Sequence, residues 1–105
     1  MKTRYFYTLK VIELDYAKDY HAHVEFETYE HGLRCEISLA DNEDDSELVI
    51  GTITTKDGSM EECQNYAISM LSDEDYCSSV WQEHIKRRIS ENVLPVEAAF
   101  FRLWV

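Results

Sequence analysis

At 105 residues, the chain is long enough for one domain with a single hydrophobic core. Its 45% hydrophobic and 12% aromatic content exclude intrinsic disorder in spite of a net charge of −11. The acid is concentrated, because residues 21–80 hold fifteen Asp or Glu against two basic residues. The negative electrostatic potential of this segment repels nucleic acid, anionic lipid and nucleotide phosphates and attracts cationic surfaces. We therefore expect neither nucleic acid nor a membrane as a direct ligand.

The cysteines and the first residues indicate a compartment. Cys35, Cys63 and Cys77 are odd in number and far apart, which favours the buried thiols of a reduced protein over a disulfide framework. The chain begins without an apolar stretch of the signal-peptide kind, and no apolar run approaches the length of a membrane span. We expect a soluble, cytoplasmic protein.

The first predicted element is a strand over residues 4–14, which are rich in aromatic and β-branched side chains. Apolar residues occur on both of its faces. That pattern predicts a central strand, or one that is covered on both sides, rather than a solvated edge. Residues 15–20 are polar and are expected to connect this strand to the next.

The clearest element is a hairpin. Apolar residues fill the even positions of 22–28 and the odd positions of 33–39, and His31-Gly32 suits a two-residue turn in which Gly32 takes a positive φ. With that turn, Phe26 lies opposite Ile37 on the buried side. A slip of one residue would turn one strand's apolar set outward, so the faces are well specified.

An acidic loop over residues 41–47 and a fourth strand over residues 48–55 follow the hairpin. The continuous apolar run of this strand predicts burial. Gly51 interrupts it, which indicates either a β-bulge or the close approach of another element.

Two helices come next. Ser59 with Glu62 has the spacing of a capping box, in which the serine hydroxyl accepts from a free backbone amide and the glutamate reaches back. Ser72, followed by acidic residues that favour the helix dipole, predicts a second helix start. Residues 96–105 predict a last strand. The fold class is therefore α+β: a single domain over residues 1–105, mainly antiparallel sheet in the order ββββααβ, with two helices packed on one face.

A metal site is the first functional candidate. His21, His23 and Glu25 alternate on one face of a strand, and imidazole and carboxylate at this spacing can share a zinc ion. A further ligand would have to come from the partner strand, from Glu36 or His31. A solvated outer strand face is the simpler interpretation, and the acidic loop lacks the glycine and glutamate of an EF-hand. We expect no metal and no other cofactor.

Catalysis finds little support. The sequence has no Gly-x-Ser-x-Gly, no Cys-x-x-Cys and no glycine-rich phosphate-binding loop. The three cysteines fall on predicted apolar stripes, where a packed thiol is the usual role. We expect no catalytic residue and no enzyme.

The outward side of the hairpin is the best functional candidate. The predicted register places Glu27 opposite Glu36, a like-charge pair that destabilises a sheet by roughly a few tenths of a kcal/mol. Simple solubility tolerates that cost, but acid recurs in the loop and at both helix starts. Tyr29 beside Arg34 adds an aromatic side chain typical of recognition surfaces. The candidate partner-binding residues are Glu25, Glu27, Glu36, Tyr29, Asp44 and Asp45.

Three functions are compatible with this pattern. The leading hypothesis is a small binding protein or inhibitor that docks on a basic partner, such as a nuclease or a nucleic-acid-binding complex. Immunity proteins against nuclease toxins and phage-encoded inhibitors of bacterial defence systems, which mimic nucleic acid, share this short, acidic, motif-free character. The alternative is an oligomeric structural or accessory protein, for example a homodimer, whose acidity serves only solubility. A metal-dependent protein that uses His21, His23 and Glu25 ranks third.

Overall fold

The computed structural model describes residues 5–57 and 59–90. Four antiparallel strands lie side by side in chain order and two helices follow them. The elements are β1 (Tyr7–Ile12), β2 (Tyr20–Tyr29), β3 (Gly32–Asp41), β4 (Glu47–Thr55), α1 (Met60–Leu71) and α2 (Glu74–Ser90). The predicted α+β class is confirmed as a single antiparallel sheet followed by two helices. The strand predicted at residues 96–105 lies outside the described residues.

The inner face of the sheet, which is the face toward the helices, holds the core. Alternate residues of β2 and β3 point to it, as the period-two pattern predicted. The core is formed by Tyr20, Ala22, Val24, Phe26, Leu33, Cys35, Ile37 and Leu39 from the strands and by Cys63, Ala67, Leu71, Cys77 and Trp81 from the helices. Both helices therefore pack against the same face.

The turn between β2 and β3 begins one residue earlier than the predicted His31-Gly32 turn. Tyr29 pairs with Gly32, so the two turn residues are Glu30 and His31. Gly32 does take a positive φ, +156°, but it does so at the start of β3. A Cβ there would lie 1.8 Å from the carbonyl oxygen of Thr55. The close approach of β4 thus requires glycine at this position.

The earlier turn shifts the hairpin register by two residues. Phe26 lies opposite Cys35, and Val24 lies opposite Ile37, so the predicted pairing of Phe26 with Ile37 is wrong. Because side chains repeat every two residues along a strand, this shift leaves each one on its predicted face. The predicted burial is confirmed: Phe26 is 2% exposed and Ile37 is fully buried.

β1 is shorter and more exposed than predicted. It spans Tyr7–Ile12 rather than residues 4–14, and it lies at the edge of the described sheet. The side chains of Tyr7, Leu9 and Val11 are 48%, 43% and 62% exposed. Within the described residues, the prediction of a central or doubly covered strand is wrong, because these side chains are exposed and the main helix contacts are with β3 and β4.

Gly51 has both of the roles that the sequence indicated. The pairing of β3 with β4 shifts beside it, between Ile37 and Ser38. A Cβ on Gly51 would lie 2.7 Å from Met70 Sδ and 2.7 Å from Tyr66 Oη. α1 therefore sits directly on β4 at this point, and the missing side chain makes room for it.

α1 begins where the sequence predicted, and α2 begins one residue later than predicted. The Ser59 hydroxyl accepts from the Glu62 amide at 3.2 Å and caps α1. The Ser59 amide itself donates to the Asp57 carboxylate at 3.1 Å, which takes the role expected for the Glu62 side chain. For α2, the Asp73 carboxylate accepts from the Tyr76 amide at 3.0 Å. The cap is thus the residue after the predicted serine.

Candidate partner-binding face

The side of the sheet away from the helices, called the outer face below, carries the hairpin residues predicted to bind a partner. The paired strands align these side chains in rows that cross all four strands. The rows are Tyr7, Glu27, Arg34 and Thr54; then Leu9, Glu25, Glu36 and Thr52; then Val11, His23, Ser38 and Val49. Acidic side chains thus occupy the middle strands, and apolar ones line the β1 edge.

Glu25 and Glu36 lie directly opposite each other in the middle of the outer face. A cross-strand pair of glutamates therefore exists, but its β2 member is Glu25 and not the predicted Glu27. Directly opposed residues have Cβ atoms about 5 Å apart, so the two carboxylates repel. Arg34 offsets part of this repulsion, since its Nη2 lies 3.4 Å from Glu36 Oε1.

Glu27 has different neighbours. It lies opposite Arg34 on β3, and its Oε2 accepts a hydrogen bond from the Tyr5 hydroxyl at 2.9 Å. This hydrogen bond to Glu27 raises the pKa of Tyr5, because a tyrosinate would face the carboxylate. Tyr5 is itself 67% exposed. A carboxylate and an accessible aromatic ring are therefore held side by side.

Tyr29 lies on the same face at the turn end of β2, opposite Gly32. Four of the six predicted residues, Glu25, Glu27, Glu36 and Tyr29, thus share the outer face. The sequence identified them from strand alternation alone. It also identified the apolar side chains of β1 but predicted them to be covered, whereas they are exposed beside these carboxylates.

Asp44 and Asp45 lie elsewhere, in the loop between β3 and β4. The Asp44 carboxylate accepts from Arg88 of α2 at 2.8 Å, and the Arg88 side chain is only 9% exposed. The hydrogen bond from Arg88 and those from Ser46 hold the pKa of Asp44 well below its usual range. Asp44 therefore fastens the loop to the helix layer, while Asp45 is exposed with a φ of +59°.

The two histidines of β2 join a hydrogen-bonded chain that the sequence did not indicate. His21 Nδ1 bonds Asn42 Oδ1 at 2.5 Å, His21 Nε2 lies 3.0 Å from His23 Nε2, and His23 Nδ1 bonds Glu47. The predicted extra ligands do not join them, since Glu36 pairs with Glu25. Within residues 5–57 and 59–90, no three His, Cys, Asp or Glu side chains converge as metal ligands.

The nucleophile candidates are packed in the core. Cys35, Cys63 and Cys77 are buried free thiols. Burial raises the pKa of Cys35 to about 11, which keeps the thiol protonated and unreactive at neutral pH. His84 stacks on Trp81 with ring centroids 5.3 Å apart, and burial lowers the pKa of the histidine. These groups are parts of the packing between the sheet and the helices.

Neither helix of the described chain is long and apolar enough to cross a membrane. Searches of protein-family models, of curated proteins and of solved structures each found no match to this chain.

Proposed function

We propose that this chain is a small, non-enzymatic binding protein that docks on a basic protein partner through the outer face of its sheet. The observation that carries the proposal is the row in which Leu9, Glu25 and Glu36 stand side by side across three strands. That row joins an exposed apolar side chain to two opposed carboxylates. A flat surface with both features suits a partner that offers Lys or Arg beside an apolar patch.

The main electrostatic contribution comes from two neighbouring carboxylates. Glu25 and Glu36 repel each other, and Arg34 reaches only the latter at 3.4 Å. A guanidinium or ammonium group from a partner, placed between the two carboxylates, removes the repulsion and gains charge-assisted hydrogen bonds. The net charge of −11 adds long-range attraction that speeds association with a basic surface.

The apolar part comes from β1. Tyr7, Leu9 and Val11 are between 43% and 62% exposed, and they flank the carboxylates along one edge. Tyrosine is one of the residue types that carry most of the binding energy at protein interfaces, and the contacts around such a residue exclude water. The acidic rows then select a basic partner, and the β1 edge supplies the buried area.

The partner class follows from the chemistry. A basic surface that fits opposed carboxylates also fits the phosphates of DNA or RNA, so the expected partner is a nuclease or a nucleic-acid-binding complex. Occupying such a surface would inhibit it. Immunity proteins and phage inhibitors of bacterial defence act by occupying such surfaces. We infer the same mode of inhibition for this chain, because it shares their short, acidic, motif-free character.

The test begins with affinity purification of the partner from the native host. Its affinity is then measured for wild type and for the Glu25→Gln, Glu36→Gln double variant at about 0.05 M and 0.3 M salt. The Debye length falls from about 14 Å to about 6 Å over that range. We expect weaker binding by the double variant and a steep loss with salt. Glu61→Gln, Glu83→Gln on the helices removes the same charge and is the matched control.

Equal affinity of wild type and the double variant, with little dependence on salt, would mean that the acid serves only solubility. The alternative function, an oligomeric accessory protein, is then favoured by one observation: the exposed β1 edge. Sedimentation of the purified chain as a dimer that dissociates on Val11→Lys substitution would support that alternative.

A further inference from the structure

Two histidines of β2 lie in a polar chain that links three parts of the fold. His21 and His23 are neighbours on the outer face of β2, Asn42 follows β3, and Glu47 begins β4. The two ring nitrogens that face each other, His21 Nε2 and His23 Nε2, are 3.0 Å apart. The other nitrogen of each ring, Nδ1, is hydrogen-bonded to a side-chain oxygen. The partner of His21 is Asn42, and the partner of His23 is Glu47.

The position of the ring protons on His21 follows from its partner. The Asn42 amide nitrogen donates to the Lys18 carbonyl at 2.8 Å, and a carbonyl can only accept. The Asn42 atom beside His21 Nδ1 is therefore the amide oxygen, so His21 Nδ1 carries the proton and donates it. With its proton on Nδ1, a neutral His21 presents a lone pair at Nε2.

The position of the ring proton on His23 also follows from its partner. Its Nδ1 bonds the Glu47 carboxylate, which accepts, so His23 also presents a lone pair at Nε2 when it is neutral. Two lone pairs that face each other at 3.0 Å repel, unless a positive ion lies between them. The ring centroids, 4.9 Å apart, are closer than a collinear arrangement of the two rings would place them. The two rings are therefore tilted away from a head-on arrangement, with both Nε2 atoms at the contact.

We propose that His21 and His23 form a two-imidazole site for a divalent transition-metal ion of the Cu²⁺ or Ni²⁺ type. Each imidazole keeps its Nδ1 proton, so the hydrogen bonds to Asn42 and Glu47 remain intact. Water fills the other coordination positions, because no third His, Cys, Asp or Glu of the described chain converges on the pair.

The spacing of the nitrogens indicates which metals fit. Two nitrogens at adjacent corners of a square-planar site, each about 2.05 Å from the metal, are about 2.9 Å apart, whereas a tetrahedral site separates them by about 3.3 Å. The observed 3.0 Å is closer to the separation of two ligands at 90°, which square-planar and octahedral sites share. Cu²⁺ and Ni²⁺ favour that geometry, and Cu²⁺ binds nitrogen ligands more tightly than Ni²⁺ does.

The surroundings of the pair support this assignment. Metal-binding histidines almost always donate their second ring N–H to a carboxylate or carbonyl oxygen, which fixes the tautomer and orients the ring. Both histidines have such a partner here, and the rings are half-buried, with the His23 side chain 14% exposed. The Glu47 carboxylate also offsets part of the charge that the metal brings.

The test uses untagged protein near neutral pH and follows the heat of binding of Cu²⁺, Ni²⁺ and Mg²⁺. We expect one equivalent of Cu²⁺, weaker binding of Ni²⁺ and no comparable binding of Mg²⁺, which prefers oxygen ligands. His23→Ala should weaken Cu²⁺ binding at least tenfold, and Asn42→Ala should weaken it about tenfold by freeing the ring of His21. His31→Ala, which removes an exposed histidine from the turn, is the matched control and should bind like wild type.

Equal Cu²⁺ affinity in wild type and His23→Ala would overturn the proposal. Comparable binding of Mg²⁺ would also overturn it, since that would assign the metal to the acidic surface. Circular dichroism shows whether His23→Ala is folded, and His21→Ala is the second variant if it is not. Two equivalent nitrogen couplings in the electron paramagnetic resonance spectrum of the Cu²⁺-bound wild-type chain would support the site independently of any variant.

Discussion

Along β2, successive side chains belong to two different surfaces of the molecule. Ala22, Val24 and Phe26 point to the helices and are no more than 2% exposed. Glu25 and Glu27, their neighbours in sequence, point to the outer face and are half-buried among other polar groups. One strand thus supplies both the dry core and the surface assigned to binding. Because the two sets alternate, a substitution at one position tests one surface and leaves the other in place.

The two surfaces also differ in what stabilises them. On the inner face, burial of apolar area against two helices supplies the stability, and a lost side chain leaves a cavity. On the outer face, opposed carboxylates and an exposed apolar row cost stability or leave it unchanged. Because packing on the inner face holds the sheet in shape, the charges on the outer face can change with little loss of stability. That difference makes the outer face suited to recognition.

The largest effect should come from the inner face. Phe26→Ala should lower the free energy of unfolding by about 3–5 kcal/mol, because the ring is 2% exposed and its removal leaves a cavity in the core. Tyr7→Ala removes an aromatic ring of similar size that is 48% exposed on the outer face. It should cost less than about 1 kcal/mol. Urea unfolding of both variants measures the contrast, and equal losses would refute the assignment of the two faces.

A smaller effect should come from the loop that joins the two layers. Asp44→Asn removes the charge that Arg88 binds and should cost about 1 kcal/mol at neutral pH, because the Asp44 side chain is 46% exposed and partly screened. The pKa of Asp44 is lowered in the folded state. Its contribution is therefore complete above the unfolded value of about 3.9 and is lost as the pH falls below it.

The measurement is urea unfolding of wild type and Asp44→Asn at several pH values between neutral and about 3. The difference between the two should shrink as the pH falls below about 4. Asp45→Asn makes the same chemical change at the next residue and should leave stability nearly unchanged. A difference between wild type and Asp44→Asn that persists unchanged at low pH would show that the ion pair with Arg88 contributes nothing.

Much of the fold was predictable because it depends on short-range pattern. The alternation in the hairpin identified which side chains of β2 and β3 are buried. Ser59 marked the start of α1, because its hydroxyl accepts a hydrogen bond from the amide three residues later. Gly51 was correctly read as a place of close approach. These features need only the residue's own chemistry and that of its near neighbours.

The larger errors concern long-range neighbours. The register was wrong by two residues because Gly32 is required by the Thr55 carbonyl of another strand, and not by the turn. The exposure of β1 depends on how far the helices reach. Similarly, the pairing of Asp44 with Arg88 joins residues 44 positions apart, and no local pattern reports it.

The candidate site was predictable to the same extent. Alternation placed Glu25, Glu27, Glu36 and Tyr29 on one face, and the structure agrees. The like-charge pair was assigned to the wrong glutamate, because a shift of two residues preserves faces and changes neighbours. Asn42 and Glu47 were missed as partners of the β2 histidines, since both arrive from other elements.

The smallest expected effect distinguishes the observed register from the predicted one. If Glu25 opposes Glu36, removing either charge relieves the same repulsion. Glu25→Gln should then raise the free energy of unfolding by about a few tenths of a kcal/mol. Glu36→Gln relieves the same repulsion but loses the contact with Arg34, so it should gain less, and the double variant should gain less than the sum. Glu27→Gln is the matched control, because it removes the same charge from a residue opposite Arg34. It should lower stability slightly instead.

The sign of the change carries this test, since variants that merely damage the fold cannot become more stable. Urea unfolding at low ionic strength resolves the coupling best, because salt at about 1 M shortens the Debye length to about 3 Å and should abolish it. If Glu27 and Glu36 couple in this way and Glu25 and Glu36 do not, the turn would be His31-Gly32 after all. The rows of the outer face would then be rearranged, and with them the pair of carboxylates on which the proposed binding of a basic partner rests.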